Sequence, residues 1–437
     1  MRQKIQIIID NPLRDLPSGV LLAAHLVKKG LNVILTPFDN APFETFRFCP
    51  HYLLVNYARK TNETYMSRVL SARIPLGVLD TEGGVFVKLE NEGGKPNFVK
   101  TLTENKSVIS QLKDYFVWGN FIFDFMKKEW PSAVSALQLM GTPRTDALHS
   151  KWAEPHQQRE FILINTSFTL INTKFRSSEE EINDLVHRFG YERARLEQEY
   201  QVQKKVASEF LATVKKVAEE FPNESFVLRP HPFERHDMYL QEFKDSKNVV
   251  VRGDQAIDHW LSQSKALIHY ECSTAIEAGL VGVPAFSLKS AAHTRPIEAI
   301  SLLTDYCESE QDLNEKISQV LNKTYQPPST FQKNLQQVIE TIYYRFDGES
   351  SSRIADHLAN KISHLEKPSI LRSWLWFSFY FFRNLAKKLL GKQLVRDSKK
   401  FTLAQVQTSL RRFQAAQETI PKDIRLVQNG DSIILSQ

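Results

Sequence analysis

Three short motifs, spaced along the chain, bring together groups that can move protons and hold phosphates. Asp80-Thr81-Glu82-Gly83-Gly84 sets two carboxylates in a glycine turn. Arg229-Pro230-His231-Pro232 holds a histidine between two prolines. Glu271-Cys272-Ser273-Thr274-Ala275-Ile276-Glu277 places hydroxyls ahead of a helical stretch. A base or nucleophile, a nucleotide clamp and a phosphate cradle are the parts needed to hold and react an activated sugar. Asp80 and Glu82 are two residues apart, so in an extended segment they share a side. A carboxylate there takes a proton from an acceptor hydroxyl or attacks an anomeric carbon. The prolines fix the backbone on both sides of His231, and Arg229 beside it can add charge-assisted hydrogen bonds to a phosphate.

Each motif also has a plainer reading. Prolines end strands, and a histidine after one can simply be solvated. Thr274 to Glu277 spells a capping box, in which Glu277 reaches back to the cap instead of holding a ribose. Asn91-Glu92-Gly93-Gly94 repeats the look of the first motif and reads as an ordinary acidic glycine turn.

The elements that must position these residues follow a strand–helix–strand rhythm. Lys4 to Ile9 reads as a buried strand, 10–17 as a loop, Ser18 to Lys29 as an apolar helix stopped by Gly30, and Asn32 to Thr36 as the next strand. Strands at Tyr52 to Val55, Pro75 to Leu79 and Tyr115 to Trp118 continue a parallel, Rossmann-like domain over 1–155. The pattern restarts at Phe161-Ile162-Leu163-Ile164, a run suited to a central parallel strand. Strands follow at Ser225 to Leu228, Val249 to Val251, Ala266 to Tyr270 and Pro284 to Ser287, with a charged helical segment over 177–220. The second Rossmann-like domain covers 156–365. The expected fold class is therefore α/β of the GT-B plan, two Rossmann-like domains with a cleft between them. Doubly wound sheets bind ligands beyond the carboxyl ends of their strands, and all three motifs fall at such ends.

Length and composition agree. A chain of 437 residues exceeds one ordinary core. Hydrophobic content of 42% and charged content of 24% are those of a globular protein. A net charge of +6 without a basic stripe argues against a nucleic-acid partner. Cys49, Cys272 and Cys307 are far apart and fit neither a disulfide framework nor a metal site, as in a reducing cytoplasm. The run from Ile5 to Ile9 is too short for a signal peptide.

The C-terminal part differs. Between Trp374 and Phe382 seven aromatic residues crowd into under about three helical turns. Arg383, Lys387, Lys388, Lys392, Arg396, Lys399 and Lys400 follow. The apolar run is shorter than the ~20 residues a spanning helix needs, so 366–400 is expected to lie on an anionic membrane surface through Trp374 to Lys400. The alternative is a helix docked on the protein's own surface. Residues 401–437 read as an appended segment with a strand near Ser432 to Leu435.

An acidic-x-Glu-Gly element, then His-Pro, then a Ser/Thr pair is similar to the motif set of bacterial sialyltransferases and of the Kdo transferases of capsule synthesis. Leu79 to Gly84, the Arg14-Asp15 loop and Ile164-Asn165-Thr166-Ser167-Phe168 resemble the bacterial surface carbohydrate biosynthesis proteins. Gly141-Thr142-Pro143-Arg144-Thr145-Asp146 resembles an element of that family and of the CDP-glycerol glycerophosphotransferases. The resemblance covers about 4–360. It implies an enzyme, a glycosyltransferase of surface polysaccharide assembly. The donor is expected to be a CMP-activated acidic ulosonic sugar such as Kdo, and the acceptor a glycan or lipid-linked acceptor. It implies that Asp80 or Glu82 is the catalytic carboxylate. Arg229 and His231 then contact the nucleotide, Ser273 and Thr274 the donor phosphate, and Glu277 the ribose. Arg14, Asp15, Arg144, Asp146 and Asn165 fall to the acceptor side or the interdomain cleft. Thr81 departs from relatives that carry a second acidic residue there, which leaves the choice between Asp80 and Glu82 open. No Asp-x-Asp motif follows a suitable strand, so no obligatory metal is expected, an acidic donor being held by helix N-termini and basic side chains instead. No cofactor is expected beside the nucleotide-sugar donor, which is a substrate. The implied location is the cytoplasmic face of the inner membrane. Two alternatives stand beside this one: a CDP-polyol phosphotransferase, and a non-catalytic GT-B scaffold.

Overall fold

The computed structural model describes residues 2–81, 106–153, 158–189, 191–289 and 298–437. Glu82, Gly83 and Gly84 of the first motif lie outside them, as does the turn at 91–94. Two compact units divide the chain. One joins the described residues up to 153 with 338–437, and the other spans 158–337.

In the first unit, Lys4–Ile9 (β1) leads into Pro12–Lys28 (α1) and Asn32–Pro37 (β2). The helix starts six residues before the expected Ser18. Asn11 caps it by accepting from the Leu13 N–H, and Pro12 sits at N1, where a missing N–H costs nothing. Ala41–Phe48 (α2), Tyr52–Val55 (β3), Glu63–Ser71 (α3) and Leu76–Leu79 (β4) follow. Asp114–Val117 (β5), Leu137–Leu139 (β6) and Pro143–Leu148 (α4) complete this stretch. The strands from β1 to β6 are parallel, in the order β2-β1-β3-β4-β5-β6. The order reverses between β1 and β3, so the crevice at their carboxyl ends is a topological switch point.

The second unit has its own parallel sheet, built from Phe161–Asn165 (β7), Ser225–Arg229 (β8), Val249–Val251 (β9), Ser264–His269 (β10), Ala285–Leu288 (β11) and Asp305–Cys307 (β12). Its order is β12-β11-β10-β7-β8-β9, with the switch point between β7 and β10. The long helix Arg193–Glu220 (α5) buries Val206, Phe210, Val214 and Val217 in a core shared with Ile162, Ile164, Phe226 and Leu228. Thr274–Leu280 (α6) follows β10.

Beyond 338 the chain belongs to the first unit. Ser350–Ile362 (α7) places Ile354, Ala355, Leu358 and Ile362 in the same core as Val20, Leu22 and Val27 of α1. Ile370–Leu389 (α8) and Leu403–Ala416 (α9) follow. The hairpin Arg425–Asn429 (β13) and Ser432–Ser436 (β14) then adds antiparallel to β2, extending the first sheet to eight strands. The boundary drawn at 365 therefore moves to about 337, because the apolar face of α7 is spent on α1. Likewise 401–437 is no appendage: Val406, Leu410, Phe413, Ile433 and Leu435 are core residues of the first unit.

Among the described residues, no helix is long and apolar enough to cross a membrane. Helix α8 lies on α2 and α3, with Ser373, Tyr380 and Asn384 buried. Tyr380 stacks on Phe46 with ring centroids 5.7 Å apart, and Phe377 meets Phe43 at 5.2 Å.

Candidate functional site

Two groups of residues gather at strand ends, one in each unit. In the first unit Asp10 follows β1, Asn56 follows β3 and Asp80 follows β4. Asp80 is buried, its side chain accepts from the Tyr115 hydroxyl, and its carbonyl accepts from Trp118 Nε1. Burial and the neighbouring Asp80 carboxylate push the Tyr115 hydroxyl well above its usual pKa, so it stays a proton donor. Arg14 reaches from the start of α1. Its guanidinium donates to both Asp15 oxygens, at 2.6 and 3.0 Å, and to Thr81 Oγ1 at 3.2 Å. The Thr81 N–H donates to the Asn56 carbonyl at 3.1 Å. Arg14 thus reaches the Asp80-Thr81 turn, with Asp15 tied to it through the guanidinium. Asp10 pairs with Lys399 at 2.6 Å.

Asn56 carries no sequence motif. It is buried to 1% exposure, and neither atom of its amide has a hydrogen-bond partner among the described residues. A buried amide without partners is costly, and this one sits at the switch point. The sequence signal was available: Asn56 directly follows the apolar run Tyr52–Val55.

Arg144 and Asp146 have a different setting. Asp146 accepts the backbone N–H groups of Ser350, at 3.0 Å, and Ser351, so it caps the start of α7. Burial raises its pKa to about 6 against the pull of those bonds. Thr142 caps α4 by accepting from the Arg144 N–H.

In the second unit, parallel register puts Arg229, Asn165 and His269 in one row, Asn165 pairing with Arg229 on one side and His269 on the other. His231 follows two residues after Arg229. The Phe233 N–H donates to His231 Nδ1 at 3.2 Å, which leaves the ring proton on Nε2 when the imidazole is neutral. Nε2 has no hydrogen-bond partner among the described residues. Although the residue keeps some solvent exposure, desolvation of the ring and the nearby Arg229 charge lower its pKa to about 4. At neutral pH His231 is an uncharged donor.

Sequence reasoning missed the residue that holds this loop. Glu234 is fully buried and accepts from the His231 N–H at 2.9 Å, the Tyr239 hydroxyl at 2.9 Å, the Thr166 hydroxyl and the Phe168 N–H. It joins the loop after β8 to the loop after β7. Its only sequence signal is its place three residues after His231.

At the other side of the switch point, Glu271 adopts a left-handed backbone (φ 38°), rare for a residue with a side chain. His269 braces the turn: its Nδ1 accepts from the Cys272 N–H at 3.4 Å, and its Nε2 meets Thr304 Oγ1 at 3.0 Å. Burial lowers its pKa to about 3. The Thr274 to Glu277 capping box does not form. Ser273 takes the cap position with helical dihedrals and no side-chain cap bond, while Thr274 Oγ1 accepts from Cys272 Sγ at 3.3 Å. Helix α6 has only seven residues, and Glu277 is buried in it. Asn165, 1% exposed, donates to Cys272 Sγ at 3.8 Å, and its Oδ1 has no hydrogen-bond partner among the described residues. The cavity lined by Val283, Leu303, Tyr325 and Phe331 lies toward the opposite edge of this sheet, by the starts of β11 and β12.

No protein-family model matches the chain, and no curated protein matches it. Solved structures do resemble it. A Listeria monocytogenes protein assigned as a UDP-N-acetylglucosamine 2-epimerase superposes with a TM-score of 0.52 at 12% identity, over 84% of this chain and 99% of that one. The fold is GT-B-like. A histidine-to-asparagine variant of the wall teichoic acid polymerase TagF, soaked with CDPG, superposes with a TM-score of 0.51 at 10% identity, over 82% and 89% of the two chains. At such identities the likeness extends to the GT-B-like fold and not to the chemistry.

Proposed function

We propose that the protein is a glycosyltransferase of bacterial surface polysaccharide assembly. It moves a sugar from a CMP-activated donor, an acidic ulosonic sugar such as Kdo, to a glycan or lipid-linked acceptor on the cytoplasmic side of the membrane. The second unit takes the donor nucleotide, and the first takes the acceptor and supplies the carboxylate.

The observation that carries this reading is the switch point of the second sheet. Asn165 Oδ1 is buried there with no hydrogen-bond partner among the described residues, Arg229 stands in its row, and neutral His231 holds an Nε2 proton ready to donate. Partly filled hydrogen-bonding groups at a switch point suit a polar nucleotide ligand. The solved structures of like fold are consistent with it, since one is assigned to a UDP-sugar reaction and the other was soaked with CDPG. In the first unit, Asp80 or Glu82 takes the proton from the acceptor hydroxyl as the bond to the sugar forms and CMP leaves.

A second reading, transfer of a phosphopolyol from a CDP-linked donor, draws on the likeness to TagF and on the Gly141 to Asp146 element. Calorimetric titration with CMP, CDP and UDP, repeated on His231→Ala, tests both. Cytidine nucleotide binding that the variant loses is the expected result. Binding by none of the three would remove the transferase reading and bring forward a scaffold. The released product then separates the two enzymes: CMP with a transferred sugar, or CMP with a transferred phosphopolyol.

A further inference from the structure

Ten of the fifteen large hydrophobic side chains exposed among the described residues lie between Ile370 and Leu390. Helix α8 turns by about 100° per residue. Leu371, Leu375, Phe382 and Leu389 therefore share one stripe, exposed at 71, 57, 66 and 80%. Ser373, Tyr380 and Asn384 lie on the opposite side, buried against α2 and α3. The helix is firmly part of the first unit. The Asn384 amide donates to Asn40 at 3.0 Å, Arg68 donates to the Tyr380 hydroxyl at 2.7 Å, and Trp376 Nε1 donates to Ser71 at 2.9 Å. The apolar stripe is thus held facing outward by a docked polar and aromatic face.

Charge decides what covers it. No acidic residue occurs between Glu366 and Asp397, while Lys367, Arg372, Arg383, Lys387, Lys388, Lys392 and Arg396 all do. A second copy would set like charges against each other, which disfavours self-association. We propose that the outward face of α8 docks on an anionic lipid bilayer. The helix, about 30 Å long, lies flat with the Leu371–Leu389 stripe in the acyl boundary and its lysines and arginines at the headgroups.

The docked unit then has a fixed orientation. The chain leaving α8 returns to the strand ends, where Arg396 pairs with Asp39 at 2.7 Å and Lys399 with Asp10 at 2.6 Å. The bilayer contact is thereby tied to the crevice that holds Arg14 and Asp80. Delivery of a lipid-linked acceptor to that crevice rests on the transferase reading; the lipid docking does not.

Sedimentation of the full chain with vesicles, in the absence of nucleotide, tests the docking. Vesicles containing phosphatidylglycerol should carry the protein down, pure phosphatidylcholine should do so far less, and high salt should release it. The variant Leu375→Ser/Phe382→Ser/Leu389→Ser changes only exposed side chains. It should keep its thermal unfolding and lose binding about tenfold or more. Lys388→Glu/Lys392→Glu should lose the preference for anionic lipid. Failure of the wild type to sediment with phosphatidylglycerol vesicles would overturn the proposal. So would a triple variant that binds as the wild type does, or one that changes only the oligomeric state in sedimentation velocity.

Discussion

The carboxylate of Glu234 holds the backbone N–H of His231 at 2.9 Å, and the same carboxylate accepts from Thr166, Phe168 and Tyr239. One buried side chain thus sets the distance between the loop carrying His231 and the loop following Asn165. Backbone bonds reinforce the join, the Lys174 N–H donating to the Phe233 carbonyl at 2.8 Å. The histidine of the Arg-Pro-His-Pro motif is placed less by its prolines than by a glutamate three residues on.

Glu234→Ala should therefore cost both stability and nucleotide binding. Four donors lose their acceptor in a buried setting, which is worth at least about 2 kcal/mol. Glu234→Gln should also destabilise, because its amide turns a donor toward donors. Urea unfolding reads the first effect. Titration with cytidine nucleotides on the folded variant reads the second. A variant with wild-type unfolding would show that the network contributes nothing.

The pH dependence of nucleotide binding should follow His231. Its folded pKa lies near 4, below the ordinary 6.5, so the ring stays neutral through the range in which a free histidine charges. Binding that needs the neutral ring should hold from pH 8 down to about pH 5 and change only near pH 4. The same shift lowers stability as pH falls below 6.5, since the unfolded chain takes up the proton first. An inflection in binding near pH 6.5 that disappears in His231→Ala would contradict the structure.

Strands were legible where the chain is continuously apolar, as at β3 and in Phe161 to Ile164 of β7, because parallel strands buried on both faces need no alternation. The short β12 and the exposed β13 lack that signal. The start of α1 was hidden by Pro12 and Pro17, residues that normally argue against a helix. The second unit's motif residues stand out in the sequence because proline and hydroxyl chemistry is local. Glu234 and the capping role of Asp146 were not, since each depends on partners on other elements, about 200 residues away in sequence for Asp146. The aromatic run of α8 showed as unusual, but sequence alone could not separate its docked face from its outward one.

Asp146 should control stability more than chemistry. Asp146→Ala removes the cap of α7 and should cost about 1–2 kcal/mol. The folded pKa of about 6 lies above the ordinary 3.8, so the folded state favours the proton. Its contribution to stability is fully present below pH 3.8 and is lost as pH rises through 6. Asp146→Asn should flatten that part of the stability profile. Unfolding curves across pH 4–7 for wild type and variant give the check, and identical profiles would rule the titration out.

Asp80 and Glu82 are separable by paired variants. Asp80 is buried and bound to the Tyr115 hydroxyl, so Asp80→Asn changes a group that also organises the end of β4. Tyr115→Phe removes that bond alone. If Asp80 accepts the substrate proton, Asp80→Asn should lower turnover by about 10²–10⁴, with Tyr115→Phe a much smaller loss. If Glu82 is the base, Glu82→Gln should carry the large loss. Asp80→Asn should then behave like Tyr115→Phe, with a modest fall and a lower unfolding temperature. Turnover with a cytidine-linked donor and cellular polymer levels read the same contrast. Normal polymer both in cells carrying Asp80→Ala and in cells carrying Glu82→Ala would instead favour a scaffold, because a catalytic carboxylate cannot be removed without loss of product.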